Sequence, residues 1–141
     1  NNIGSVFRTC DAFRIEKIFL CGITATPPHK EIRKTALGAT ESVKWKYRDD
    51  TLRAVKDLKS DNYGIYAIEQ TDQSMLLNEF TYNGREKIAL IFGHEIRGVD
   101  QAVLEQCDAS IEIPQYGTKH SLNISVSVGI ALWELAGKMM R

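Results

Sequence analysis

Apolar residues along this chain recur either every three to four positions or every second one, and the switches between these spacings mark out its elements. Ile3, Val6, Phe7, Cys10 and Phe13 form a helical stripe, so residues 1–13 predict a loop leading into a helix. Lys17–Cys21 is a short apolar strand ended by Gly22, and Ser42–Tyr47 alternates with Val43, Trp45 and Tyr47 on one face. Thr51–Lys59 turns Leu52, Val55 and Leu58 to one side as a helix, with Asp49 or Asp50 available to cap it. Tyr63–Ile68 predicts a buried strand, followed by a brief helical segment at 74–80 and an Asn83-Gly84 turn. Lys87–Phe92 is apolar on both faces, as parallel strands are. A helix over Asp100–Cys107 and a strand over Ser110–Pro114 follow.

The stretch from Ser121 onward first alternates like a strand, but its apolar spacing continues helically to Met139, which predicts a helix over 121–140 with Ser121 as its cap. Leu122, Val126, Ile130 and Trp133 line one side of it, and Ile124, Val128, Leu132 and Leu135 another. A helix apolar on nearly every side has two surfaces to cover, its own sheet and a second subunit. The predicted class is therefore α/β, with five strands in a mostly parallel sheet, helices on both faces, and one domain over 1–141. The connection Ile23–Thr35 has adjacent prolines and reads as a long loop bearing His29, Lys30, Arg33 and Lys34.

Composition adds little to the class, because 43% hydrophobic and 26% charged residues are ordinary for a globular chain. Charge placement adds more. The net charge is zero, yet residues 1–48 hold nine Lys/Arg against four Asp/Glu, and residues 49–141 nine against fourteen. A basic surface near Lys30, Arg33, Lys34, Lys44 and Lys46 suits a polyanion, although each lysine taken singly is equally well read as a solvated face. No signal peptide and no long apolar span is evident, so a cytoplasmic protein without a membrane segment is expected. Cys10, Cys21 and Cys107 are odd in number and never spaced C-x-x-C, which reads as reduced thiols. His29, His94 and His120 are too scattered for a metal cluster, so no metal is expected. The chain starts with Asn inside a motif-like stretch, and an element preceding it is expected.

Three polar clusters carry the candidate chemistry: Asn2 with Arg8, Gly93 with Glu95, and Gln115 through Asn123. The second and third follow strands, where ligands of parallel sheets bind. Neither G-x-G-x-x-G nor G-x-x-x-x-G-K-[ST] occurs, so common nucleotide fingerprints lend no support. Taken singly, Ser121, Asn2 and Asn123 are cap or loop residues, Arg8 a solvated helix arginine, and Gly93 and Gly98 turn glycines.

Taken jointly they form a pattern. Asn2-Ile-Gly-Ser-Val-Phe-Arg8-Thr, Ile91-Phe-Gly-His-Glu-Ile-Arg-Gly98 with Asp108-Ala-Ser-Ile-Glu-Ile-Pro-Gln115, and Ser121-Leu-Asn-Ile-Ser-Val126 resemble the three motifs of the SpoU/TrmH family of RNA ribose 2′-O-methyltransferases, within the SPOUT superfamily. The resemblance spans essentially the whole chain; the family's first strand, which normally precedes the first motif, is expected to lie ahead of Asn1, and the long terminal extensions of some members have no counterpart within residues 1–141. It implies a C-terminal trefoil knot, an expectation that rests on the likeness alone because knots are rare. It further implies a homodimer through the C-terminal helix, S-adenosylmethionine (AdoMet) as cofactor, and tRNA or rRNA as substrate. Cofactor contacts are implied near Ile68 and at Gly93, Ile113 and Leu122, and catalysis at Asn2, Arg8, Glu95, Ser121 and Asn123. A guanidinium stays protonated at ordinary pH, so Arg8 is expected to hold a phosphate and stabilise a forming alkoxide, oriented by Asn2, Glu95 and Asn123, and to reach the neighbouring subunit's cofactor. Two rivals remain: a non-catalytic RNA-binding or assembly protein of the same fold, and a knotted enzyme that methylates a base nitrogen. The Ser-Leu-Asn opening of the third motif favours ribose.

Overall fold

The computed structural model describes residues 2–22, 26–84, 86–94, 96–118 and 122–140, with Glu31 described by its backbone alone. The chain forms two compact units, Asn1–Thr51 and Leu52–Arg141.

In the first unit, helix α1 spans Asn2–Ala12 and buries Gly4, Phe7 and Cys10; of the expected stripe Phe7 and Cys10 are buried, while Ile3, Val6 and Phe13 are half-buried. Strand β1 (Lys17–Cys21) runs parallel to β2 (Lys44–Arg48), with Ile18 opposite Trp45 and Leu20 opposite Tyr47. Helices α2 (Lys30–Ala36) and α3 (Ala39–Ser42) make the crossover a parallel pair requires. The expected loop over 23–35 is thus corrected: from Lys30 the chain is helical, because Ile32 and Ala36, one turn apart, are buried. Gly4 explains the fit of α1 on α2, since a Cβ there would stand 2.6 Å from the Ile32 carbonyl oxygen and closer still to Thr35. The close approach at Gly4 is helix to helix.

The second unit holds a four-stranded parallel sheet in the order β4-β6-β3-β5, from β3 (Tyr63–Ile68), β4 (Met75–Leu76), β5 (Lys87–Phe92) and β6 (Ala109–Glu112). Alternation along the strands divides two cores. Ile65 and Ala67 face Val55 of helix α4 (Thr51–Ser60) and Val103 of helix α5 (Gln101–Leu104), with Ala89 and Ile91 packed alongside. Ile111 on the other face meets Ala131 and Leu135 of helix α6 (Ile124–Met140), with Tyr66, Ile68, Leu90, Phe92 and Ile113 at its margins. Each fully buried Ile or Leu here contributes about 1.5–3 kcal/mol of transfer free energy. Lys138 ties α6 down by donating to the carbonyls of Leu77 (3.1 Å), Asn78 (3.4 Å) and Phe80 at the end of the 3-10 turn Leu77–Glu79.

All five expected strands occur, but hydrogen bonding places them in two sheets instead of one, with β4 an addition inside the segment expected to be helical. Helix α6 begins at Ile124, three residues later than expected, because Asn123 fills the cap position: its Oδ1 accepts from Ser125 N at 2.8 Å and Ser125 Oγ at 2.7 Å. Among the described residues no helix is long and apolar enough to cross a membrane.

Candidate functional site at the strand ends

Register gathers three of the four candidate cofactor residues, Ile68, Gly93 and Ile113, but not Leu122. Ile68, the last residue of β3, lies opposite Phe92 on β5 and Ile111 on β6. Gly93 follows Phe92 directly, and Ile113 stands just past the end of β6, so Ile68, Gly93 and Ile113 share the C-terminal ends of three neighbouring strands. Ile68 and Ile113 are half-buried, which leaves apolar surface available at that edge. Leu122 is half-buried immediately before α6.

The loop after β5 is built around Gly93. A Cβ there would meet the backbone of Gly98 and Val99, coming within 2.6 Å of the Gly98 carbonyl oxygen, so no other residue fits without moving the loop. His94 and Gly98 exchange backbone hydrogen bonds, His94 N to Gly98 O at 3.1 Å and Gly98 N to His94 O at 2.8 Å. His94 Nδ1 accepts from Ile96 N at 3.1 Å and Arg97 N at 3.3 Å, which gives this histidine a structural task that its sequence position alone left unassigned. Glu69 completes the loop. Its carboxylate accepts from Val99 N at 2.7 Å and lies where a side chain on Gly98 (φ 69°) would otherwise be, fastening the end of β3 to the loop after β5. Glu69 was missed in the sequence; its only signal there is an acid directly after a buried strand.

Of the candidate catalytic residues, Asn2 opens α1 and Arg8 is exposed on the face of α1 opposite Phe7 and Cys10, both in the first unit. Asn123 is exposed at the start of α6, where its side chain already serves as the cap. Glu95 and Ser121 lie outside the described residues. The cysteines are free, and burial pushes the Cys10 thiol up to about 12 and raises those of Cys21 and Cys107. None is poised as a thiolate nucleophile near neutral pH. Among the described residues no group of His, Cys, Asp and Glu is arranged to hold a metal ion.

A parallel sheet covered on both faces, with a glycine-built loop at its carboxyl edge, defines the open α/β class whose ligands bind beyond the strand ends. Within that class the chain belongs to the SpoU rRNA Methylase family, whose family model matches residues 1–133. It is 31% identical over 134 residues to a 23S rRNA (guanosine-2′-O-)-methyltransferase, RlmB, of Neisseria meningitidis, covering 95% of this chain and 52% of that one. It is 30% identical over 140 residues to a tRNA (guanosine(18)-2′-O)-methyltransferase of Aquifex aeolicus, covering 95% of this chain and 62% of the relative. The chain thus spans only a little over half the length of these curated relatives. Among solved structures, the A. aeolicus TrmH/SpoU tRNA modifying enzyme matches with a TM-score of 0.84 at 26% identity, over 97% of this chain and 68% of that one. An AdoMet-bound rRNA methyltransferase of Sinorhizobium meliloti shares the fold, with a TM-score of 0.86 at 24% identity over 94% of this chain and 50% of the other.

Proposed function

We propose that this chain supplies the catalytic core of an AdoMet-dependent methyltransferase acting on a ribose 2′-hydroxyl of rRNA or tRNA. The observation that carries this reading is the register that sets Ile68, Gly93 and Ile113 side by side at one sheet edge, in a chain of the SpoU family. These residues fit the cofactor: accessible aliphatic surface suits an adenine ring, and loop backbone suits its polar edge. Ile68, Gly93, Ile113 and Leu122 would hold AdoMet, which when bound supplies an electrophilic methyl group.

The remaining roles fall to polar residues of the motifs. Arg8 holds the phosphate beside the target ribose and stabilises negative charge on the 2′-oxygen, a task for a permanent cation. Asn2, Glu95 and Asn123 orient it, and Ser121 completes the polar set. Positioning of this kind is a large share of catalysis wherever the nucleophile is a poor one. The guanosine named in both relatives makes a guanosine ribose the first substrate to test.

A homodimer through α6 belongs to the same reading, supported by the exposed stripe Val126 (47%), Ile130 (37%) and Trp133 (61%) opposite the buried Val128, Leu132 and Leu135. In that dimer Arg8 serves the partner's cofactor. The C-terminal knot is supported by the position of β6, late in the chain yet interior in its sheet. A family match running through both compact units supports one methyltransferase domain, and three free cysteines support a cytoplasmic setting.

The test incubates the protein with total cellular RNA and methyl-labelled AdoMet, then maps the label by nuclease digestion. Label on a ribose is expected, with Arg8→Ala lowering the rate at least 100-fold, in the range of a lost electrostatic group. Label on a base, or cofactor binding with no labelled RNA, would give the function to one of the rivals.

A further inference from the structure

The first unit contains an open cleft of about 320 Å³ that the strand-end site does not use, lined among others by Pro27, Pro28, Arg33, Thr40, Glu41 and Trp45. Its size is at the small end of ligand pockets, which run from roughly 300 Å³ upward, so it takes one compact group. Trp45 stands on β2 and is half-buried, so its indole is not consumed by the core. An indole and two proline rings in the wall of one cleft offer flat apolar surface to a ring. His29 and Arg33 line the cleft as well, and the Glu41 carboxylate and the Thr40 hydroxyl suit a partner whose edge carries N–H donors. Phosphate-binding charge lies close by in the chain. Lys30 and Lys34 are exposed on α2 together with Arg33.

We propose that this cleft receives one unstacked nucleobase of the substrate RNA, with Trp45 as the stacking face, Glu41 accepting from the base edge, and the cations of α2 holding the adjoining phosphates. The inference rests on the proposed action on RNA and adds to it a recognition site separate from the strand-end residues. A cleft that holds a carboxylate beside an indole, with Arg33 in its wall and Lys30 and Lys34 on the same helix, matches a nucleotide as a whole, base and phosphate together.

The test uses the protein with a single-stranded oligoribonucleotide carrying 4-thiouridine, and a matching strand with abasic positions. Irradiation is expected to join the 4-thiouridine to the segment 26–45. The Trp45→Leu variant is expected to bind the base-bearing strand about tenfold more weakly, the size of one lost stacking contact. Its affinity for the abasic strand and its salt slope stay unchanged, Trp45→Phe restores most of the loss, and AdoMet affinity by calorimetry does not move. Arg33→Gln, by contrast, is expected to reduce the salt slope by about one. Cross-links that map elsewhere, or a folded Trp45→Leu protein that binds both strands like wild type, overturn the proposal. Should RNA be methylated while Trp45→Leu binds normally, the cleft fails and the methyl-transfer reading stands; Trp45-dependent binding without methylation of any RNA does the reverse.

Discussion

At the scale of single residues, two motif positions carry a structural duty on top of any chemical one. Gly93 has the backbone of Gly98 and Val99 where a side chain would begin, and that backbone does not yield as a flexible side-chain end would. Gly93→Ala is expected to destabilise the protein by about 1–3 kcal/mol, the usual cost of overpacking, and to abolish AdoMet binding measured by calorimetry. Unchanged binding would remove the loop from the cofactor site. Asn123 allows the two duties to be separated. Serine caps as well as asparagine does, so Asn123→Ser should leave the denaturation midpoint within error of wild type, whereas Asn123→Ala costs about 1 kcal/mol. Methyl transfer is expected to fall in both variants. Full activity in Asn123→Ser would reduce this residue to a cap.

At the scale of elements, the sheet of the second unit has a pH-sensitive joint. The Tyr66 hydroxyl donates to Glu86 Oε1 at 2.9 Å, and its ring meets Phe80 edge-on with centroids 5.0 Å apart. Burial first, then the hydrogen bond to Glu86 and its charge, push the Tyr66 hydroxyl from its usual 10 up to about 12. The unfolded chain therefore releases this proton at lower pH than the folded one, so the contribution is complete below pH 10 and is lost as pH rises from 10 towards about 12. Cys10, raised to about 12 by burial, acts in the same direction. Denaturant midpoints measured across this range should fall, and fall less steeply in Tyr66→Phe; identical slopes would contradict the assignment.

Elements also show what was legible from residues alone. The strands could be read because Lys17–Cys21, Tyr63–Ile68 and Lys87–Phe92 are apolar runs of strand length bounded by glycine or polar turns. Helix α2 could not, since Lys30, Glu31, Arg33 and Lys34 surround its one large apolar residue, Ile32, and the helix depends on packing against α1 at Gly4. The start of α6 was misplaced because serine and asparagine are equally good caps and only the backbone decides between them. The tasks of Glu69 and His94 were hidden for a different reason: both bind main-chain N–H groups, which leave no mark in a sequence. Gly93 and Ile113 stand in motifs that the sequence marks, whereas Ile68 lies in none of them, and it took the register of β3 with β5 and β6 to make neighbours of the three.

At the scale of the whole molecule, the stripe on α6 is the proposed seat of the homodimer. Val126, Ile130 and Trp133 are exposed along a helix whose other side is covered, and a second copy of the helix is the proposed occupant. Ile130→Glu is expected to convert the dimer to monomer in light scattering at micromolar concentration. If Arg8 works across the interface, activity should vanish with it even though the monomer stays folded. A variant that remains dimeric would place the interface elsewhere.

The interior place of β6 also has a consequence for how the protein is made. Met75–Leu76 pairs with β6, and β3 takes β6 on the flank away from β5, so both must wait for Ala109–Glu112 to be synthesised. Until then the growing polypeptide carries a bare flank on Tyr63–Ile68, one of its most apolar strands and open to chance pairing with any neighbour. Chains truncated just short of residue 109 should therefore aggregate or recruit chaperones more than the chain that runs on through β6 and α6.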